Sequence, residues 1–553
     1  MEFFSQYPKT HPDFKSGTIS YKDEEFFVHD TQLENNRAIH GDEVYFHLGK
    51  VTGIKHRFQG FIAGILHLNL NQKFGFTKKN IPYFKFTPLS GKYPTFIVPS
   101  KCREKVAKYC VIKINKWEPN NKKPIGQIEY LLGNVGNRDA ETEVLLFKND
   151  VYPKKNKIQY FDLCAPAEGN CDYQTFSIDP KGCRDIDDAF HFNHYSYGKC
   201  EIGIHIANVS AYLEDINTNF YSSIYLKDRI IPMLDEEHSF EECSLGNGEQ
   251  KRSLSLILHF DMHGPNWNRS YHLNSYEFRE TIVKNTALSY EDAEKMIQEE
   301  NGTGVYKLWD MTRTMMGVEE LSATKMVENY MLLYNNMVAK ELYKKNPERT
   351  ILRTHRNALN IESTDDVLKQ FLMKKQLNSA VYESNPEYTR HEGLELDFYT
   401  HATSPIRRYV DIINQMNIVR ILKNYELMDC GCLDKINLFQ KNLRKFYNNY
   451  KKLNLVFDLD GNFVDFDAFV IELDGVRVKV YIPEIDIEHS FQAISPKLVD
   501  SNQVSISPKV LEINGIGINL YQKIKIRLTP LKYEEKFNKK LNIKMLEPSI
   551  NVV

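Results

Sequence analysis

The sequence predicts a multidomain α+β chain: two small β-barrels, then a mixed α/β body, then a third β-barrel. Three observations carry this. Short runs rich in Val, Ile, Phe and Tyr, punctuated by Gly, Asp and Asn, fill residues 1–150. Long stretches with apolar residues at helical spacing dominate the middle, and strict alternation returns from about residue 456. A length of 553 residues leaves room for several domains.

The elements follow in order. "GTISYKDEEFFVHD" and "GDEVYFHLGKV" read as strands of a first barrel over 15–72. "TFIVPS", "CVIKINKW" and "TEVLLF" read as strands of a second barrel over 73–150. Lysines and aromatics interleave in "KVTGIKHRFQGF" and "NQKFGFTKKNIPYFKF". That mixture suits stacking plus phosphate contact on a single strand, or simply solvated lysines on a β-surface. The body, 170–455, opens with strands, in which "CEIGIHIANVSAYL" sets Ile202, Ile204 and Ile206 on one face. "SATKMVENYMLLYNNMVAKELYKKN" then places Val327, Met331, Tyr334 and Val338 on one side of a helix that Ser322 caps. "SPIRRYVDIINQMNIVRILKNY" predicts a second long helix with Pro405, Arg407 and Arg408 in its first turn. The last barrel, 456–548, contains "FDAFVIELDGVRVKVYIPEIDI", a hairpin turning at Asp474–Gly475.

Composition excludes several classes. A net charge of -2 gives no global nucleic-acid signal, so any basic surface is local. No apolar run is long enough for a membrane span, and "MEFFSQYPKTHPDF" lacks a leader pattern. The nine cysteines form no disulfide framework or zinc spacing, which suggests reduced thiols inside a cell.

The chemistry concentrates in "FSIDPKGCRDIDDAF", which holds Asp179, Asp185, Asp187 and Asp188. Carboxylates this close repel, and burying them unpaired is costly. Either they splay into water as a solvated loop, or they converge on divalent cations. Apolar flanks (Ile178, Ile186, Ala189, Phe190) argue against a free loop. Oxygen ligands without His or Cys select Mg²⁺, with Mn²⁺ as substitute. A second constellation is "YTHATSPIRRYVD". Cations at a helix N-terminus oppose the dipole, so Arg407 and Arg408 call for an anion nearby, either protein carboxylate or phosphate.

The central region resembles the RNB catalytic domain of the RNase II/RNase R exoribonuclease family. The aspartate stretch, "HIANVSAYL", "SIYLKDRIIPML", "CSLGNGEQKRSLSL", "MVENYMLLYNNMVA" and "YTHATSPIRRY" occur in the family's order. "NNRAIHGDEV", "FTP" and "RDAETEVLLF" resemble the paired cold-shock domains of the eukaryotic, exosome-associated branch, without its N-terminal endonuclease domain. The tail resembles the family's C-terminal RNA-binding OB-fold. The resemblance therefore implies an RNB-type α/β catalytic body flanked by two cold-shock-like OB barrels and one C-terminal OB barrel.

It also implies a function: a 3′→5′ exoribonuclease that hydrolyses single-stranded RNA to nucleoside 5′-monophosphates with two Mg²⁺ ions. The rival reading is a catalytically weak or inactive RNA-binding protein, and a metal-dependent DNA nuclease is a third. Asp179, Asp185, Asp187 and Asp188 match the metal-organising aspartates, and Arg407 the arginine that steadies phosphate charge. Tyr225 matches the aromatic on the terminal nucleotide, Tyr290 and Glu328 match residues linked to ribose recognition, and Arg408 joins them as a substrate contact. Single-stranded RNA is the implied partner, with an exosome-like complex a further one and no membrane. The implied location is intracellular, cytoplasm and nucleus being undistinguished. Three departures stand out. Asn208 replaces the Asp of H-I-A-D-V-S, "RTHRNAL" loses the acid and proline of R-V-H-E-x-P, and a β-hairpin with an RNA-stacking aromatic is missing before "SATKMVENYM".

Overall fold

The computed structural model describes residues 2–4, 16–21, 24–29, 37–47, 50–70, 74–117, 121–153, 157–161, 171–195, 198–264, 270–300, 302–356, 365–377, 380–429, 431–495 and 503–549. Most of the start read for a leader pattern, Asn71–Lys73 and the end of "RTHRNAL" lie outside these residues. The chain divides into two compact units, one of residues 1–152 and 442–553, the other of 153–441. Among the described residues, no helix is long and apolar enough to cross a membrane.

Among the described residues the first unit contains four β-structures, the smallest a three-stranded sheet of Val504–Ile506, Val510–Ile513 and Ile516–Asn519. Residues 2–56 supply a five-stranded sheet whose edges are Glu24–His29 and Lys50–His56. The second structure is a closed barrel of Ile62–His67, Tyr83–Pro88, Phe96–Pro99, Ala107–Lys116 and Ile125–Asn134. The first barrel was expected to run to residue 72, but the strand Ile62–His67 pairs with Ala107–Lys116 and Tyr83–Pro88 in the second. Both faces of that strand are buried, so its sequence carries no alternation to mark the boundary. Gly64 permits the closure: a Cβ there would lie 2.5 Å from the Thr87 carbonyl oxygen. The third structure is a five-stranded sheet of Val464–Asp474, Arg477–Ile482, Ile487–Gln492, Lys523–Pro530 and Leu541–Glu547. Its first hairpin closes at Gly475, φ 59°.

One expected strand is a helix. "TEVLLF" lies in the helix Arg138–Lys148, whose cap Asn137 accepts the Ala140 N–H through its side chain at 3.0 Å. Val144, Leu145, Leu146 and Phe147 are all buried, and a helix buried on every side shows the same continuous apolar run as a buried strand.

The second unit is built on a closed barrel of Tyr173–Asp179, Asp188–Tyr195, Lys199–Ala207, Gln250–His263 and Ser270–Ser289. Its two faces differ. Phe176, Ile178, Phe190, Ile202, Ile204, Ile206, Leu254, Leu256 and Leu258 pack with the helices Gly304–Met316 and Ala323–Lys345 in one core. The alternate residues Thr175, Ser177, His191, Glu201, His205, Ser253, Ser255, Thr281 and Asn285 are polar yet buried. They satisfy one another: His205 Nε2 meets His191 Nδ1 at 2.7 Å, His191 Nε2 meets Glu201 at 3.0 Å, and His205 Nδ1 meets Ser255 at 2.7 Å.

Residues 317–322 join the two helices tightly, with Gly317 at φ 64° ending one and the Ser322 hydroxyl accepting the Lys325 N–H to start the other. No strand stands between them, as the sequence predicts. The helix after "SPIRR" begins at Tyr409, so Arg407 and Arg408 precede its first turn rather than occupy it. The Ser404 carbonyl accepts the N–H groups of both arginines at 3.3 and 3.0 Å, which closes a separate turn, and Arg408 is extended at φ -136°.

Candidate active site

A cavity of about 600 Å³ in the second unit is lined by Asp179, Asp185, Asp187, Asp188, Tyr225, Tyr290, Glu328, Arg407 and Arg408. All nine residues singled out in the sequence therefore face one space. Asp179 ends one barrel strand and Asp188 begins the next, so sheet geometry delivers two carboxylates, and the intervening turn through Gly182 (φ 84°) delivers the others. Ser244 holds that turn, accepting the Ile186 N–H at 3.0 Å and donating to the Arg184 carbonyl at 2.8 Å.

Two aspartates are engaged by protein donors. Asp187 accepts the Ile406 N–H at 3.0 Å and Arg407 Nε at 2.9 Å. Asp185 accepts the Tyr225 hydroxyl. Arg408 donates to Asp411 Oδ1 at 2.7 Å, and Ser404 N–H reaches the same oxygen at 2.7 Å. Both arginines thus have carboxylate partners, the protein alternative left open by the sequence. Arg407 keeps an exposed edge toward the cavity, while Arg408 is held by a fully buried Asp411.

Burial and mutual repulsion govern the charge here. Burial pushes Asp179 up to about 6, and Asp185 adds to it against Ser177 and Arg407. Asp187 rises to about 7, with burial outweighing Arg407. Asp188 rises well above the usual range through burial and the charges of Asp179 and Asp187. A carboxyl raised in the fold holds its proton more tightly folded than unfolded. Its contribution to stability is complete below the unfolded value and is lost as pH climbs through the folded one. We therefore expect the metal-free protein to melt progressively lower as pH rises from about 4 to about 7. A melting curve insensitive to pH in that window would show these aspartates to be ionised throughout.

The donor set is all oxygen, and Asp179 Oδ2 is buried with no hydrogen-bond partner. Both suit a hard divalent cation. No three His, Cys, Asp or Glu side chains among the described residues converge enough to hold a metal, and Asp185 and Asp187 are engaged by Tyr225 and Arg407.

Tyr290 opens the helix Tyr290–Gln298, whose cap Ser289 and Asp292 bond reciprocally. Its hydroxyl pKa is raised by burial and then by Asp188. Glu328 pairs with Lys325 at 2.9 Å on the helix Ala323–Lys345. One lining residue went unread in the sequence. Asn335 is buried, accepts the Ala402 N–H at 2.7 Å and donates to Thr403 Oγ1 at 3.3 Å, fixing the loop that leads to Arg407. The signal was the adjacent amide pair Asn335–Asn336 within an apolar helix stretch. Asn208, the departure from aspartate, is buried and donates to Glu280 at 3.1 Å, where a carboxylate would meet a carboxylate.

The RNB domain family matches residues 171–315 and 310–424, and the Dis3-like cold-shock domain 2 matches 83–150. The probable exosome complex exonuclease RRP44 of Caenorhabditis elegans is 24% identical, covering 88% of this chain and 62% of its own length. The exosome complex exonuclease dis3 of Schizosaccharomyces pombe is 23% identical, covering 94% and 64%. The chain thus spans about three fifths of these curated relatives. Among solved structures, Mycoplasma genitalium RNase R in complex with ribose-methylated single-stranded RNA superposes with a TM-score of 0.74 at 16% identity, covering 99% of this chain and 100% of that one. Yeast Ssd1, a pseudonuclease, superposes at 0.66 with 14% identity, covering 100% and 97%. Motif order, domain matches and fold agree: this chain carries an RNB domain over residues 171–424 and a Dis3-like cold-shock domain 2 over 83–150.

Proposed function

We propose that this chain is a divalent-metal-dependent 3′→5′ exoribonuclease that degrades single-stranded RNA to nucleoside 5′-monophosphates. The observation that carries the reading is the gathering of all four aspartates with Arg407, Tyr225, Tyr290 and Glu328 around one cavity. Asp179, Asp185, Asp187 and Asp188 are the residues to hold Mg²⁺ or Mn²⁺, which supplies water activation and charge neutralisation at the scissile phosphate. Arg407, anchored by Asp187, presents its free edge to phosphate charge. Tyr225 offers a ring to the terminal nucleotide, and Tyr290 and Glu328 offer polar atoms to its ribose, where a 2′-hydroxyl distinguishes RNA from DNA. Arg408, locked to Asp411, acts by shaping this wall and adds charge to it. The bond broken is that between phosphorus and the upstream 3′ oxygen, so the released nucleotide keeps its 5′-phosphate.

The OB-type barrels supply further single-strand contacts in this reading. An exosome-like assembly is the proposed partner. It follows from the names of the curated relatives, RRP44 and dis3, which are exosome complex exonucleases.

Purified protein with end-labelled single-stranded RNA, with and without Mg²⁺, tests the proposal. A 5′ label is expected to give a descending ladder and a 3′ label to appear at once as mononucleotide, while circular RNA of the same sequence stays intact. Because the connection at 317–322 replaces a hairpin, limit products are expected to be at least as long as in family members that have it. Cleavage of the circle would indicate an endonuclease. A limit product of one or two nucleotides would show that the short connection costs no grip. Ssd1 shows that the fold can persist without nuclease activity, so the second reading is an RNA-binding chain with a silent site. RNA bound but uncut at every Mg²⁺ concentration would favour it.

A further inference from the structure

The segments carrying the aspartates are tied together by one buried carboxamide. Asn285 lies on the polar face of the barrel, 2% exposed, beside the strand that ends in Asp179. Its Nδ2 donates to Ser177 Oγ at 3.0 Å and to the Leu245 carbonyl at 2.7 Å, and its Oδ1 accepts the Thr175 hydroxyl at 3.1 Å. Ser177, whose oxygen accepts from Asn285, lies two residues before Asp179 on the same strand, and its hydroxyl opposes the rise that burial causes in the Asp179 pKa. On the other side, Leu245 N–H donates to the Ile186 carbonyl at 3.0 Å, and the neighbouring Ser244 clamps Arg184 and Ile186. One amide therefore connects Asp179, through Ser177, with the 184–186 backbone that places Asp185 and Asp187.

We infer that Asn285, acting through Ser177 and Leu245, is a positioning residue that sets the spacing between Asp179 and the Asp185–Asp188 segment, and with it the affinity of the site for a divalent cation. The inference rests on the reading of this cavity as a metal site. The chemistry requires an amide at this place. Two donors on one nitrogen and one acceptor on one oxygen meet three partners at once. A carboxylate of the same shape would lose both donors and set a charge against the Leu245 carbonyl. Residues that orient metal-binding side chains without touching the metal commonly change affinity about 10- to 100-fold when removed.

The test measures Mn²⁺ binding by electron paramagnetic resonance in the intact chain without RNA, beside single-turnover RNA cleavage as a function of Mn²⁺. Asn285→Asp and Ser177→Ala are the variants, with Ser177→Thr as the conservative control. The Mn²⁺ dissociation constant is expected to rise about tenfold or more in Asn285→Asp and by a smaller factor in Ser177→Ala, while Ser177→Thr stays near wild type. Cleavage at saturating Mn²⁺ should recover much of its rate, because the residues that meet RNA are untouched. If Asn285→Asp fails to fold, Ser177→Ala alone decides, since it leaves Asn285 bonded to Thr175 and Leu245 and removes only the hydroxyl that joins Asn285 to the Asp179 strand. Wild-type Mn²⁺ affinity in the folded variants would overturn the positioning role and leave the metal reading standing. A wild-type protein that binds no Mn²⁺ would overturn both.

Discussion

Asp187→Asn is expected to abolish RNA hydrolysis while leaving RNA binding close to normal. Asp187 is buried and bonded to Ile406 N–H and Arg407. An amide of the same shape removes a unit of negative charge from the proposed metal site. It also presents Arg407 with either a neutral acceptor or an opposing donor. Cation placement and the arginine's aim both suffer, so turnover should fall by at least about three orders of magnitude, or about 4 kcal/mol at the transition state. Binding is held up by contacts elsewhere on the chain and should change only a few-fold. Single-turnover cleavage with labelled RNA, beside a filter-binding titration, separates the two. Near-normal turnover would sink the site assignment.

The second large effect is expected for Arg407→Ala. The guanidinium is positioned twice, by Asp187 at 2.9 Å and by Ser404 Oγ at 3.0 Å, so it meets a phosphate without first being ordered. Removing one such preorganised donor typically costs about 10²–10³ in rate, on the order of 3 kcal/mol. The variant also strips Asp187 of its ion pair, which should raise that carboxyl further and weaken the cation site. Arg407→Lys restores charge but not the two-point geometry, and should recover only part of the loss. Affinity that collapses while single-turnover cleavage stays normal would make Arg407 a binding residue alone.

Much of this site was legible in the sequence because its chemistry is local. Three of the four aspartates fall within four consecutive residues, and their charge density between apolar flanks has few explanations. The long-range partners were not legible. Nothing in the sequence says that Arg407 meets Asp187, or that Tyr225 meets Asp185, because those pairs form only when the body folds. Asn285 and Ser177 went unmarked in the sequence for the same reason. In the fold, alternation located the exposed or two-faced strands well. It failed where an element is buried on all sides, as for Ile62–His67 at the barrel boundary and "TEVLLF" in its helix. The arginine-bearing turn was misplaced because Pro405 can open either a helix or a turn, and the contacts of Ser404 chose the turn.

The alternating barrel strands have a consequence for folding fidelity. Along Lys199–Ala207, Ile202, Ile204 and Ile206 face one way and Glu201, Gly203 and His205 the other, and both sets are shut away from water. Shifting such a strand by one residue against Gln250–His263 exchanges the sets. Charged and imidazole groups would then sit among leucines, and three isoleucines among hydroxyls. Gly203 tightens the constraint, since a Cβ there would come within 2.5 Å of the His205 and His191 rings. A sheet that is dark on both sides but written in two alphabets cannot be misread by one letter without losing its core and its polar network together. The long hairpin that completes this barrel therefore carries its own proofreading.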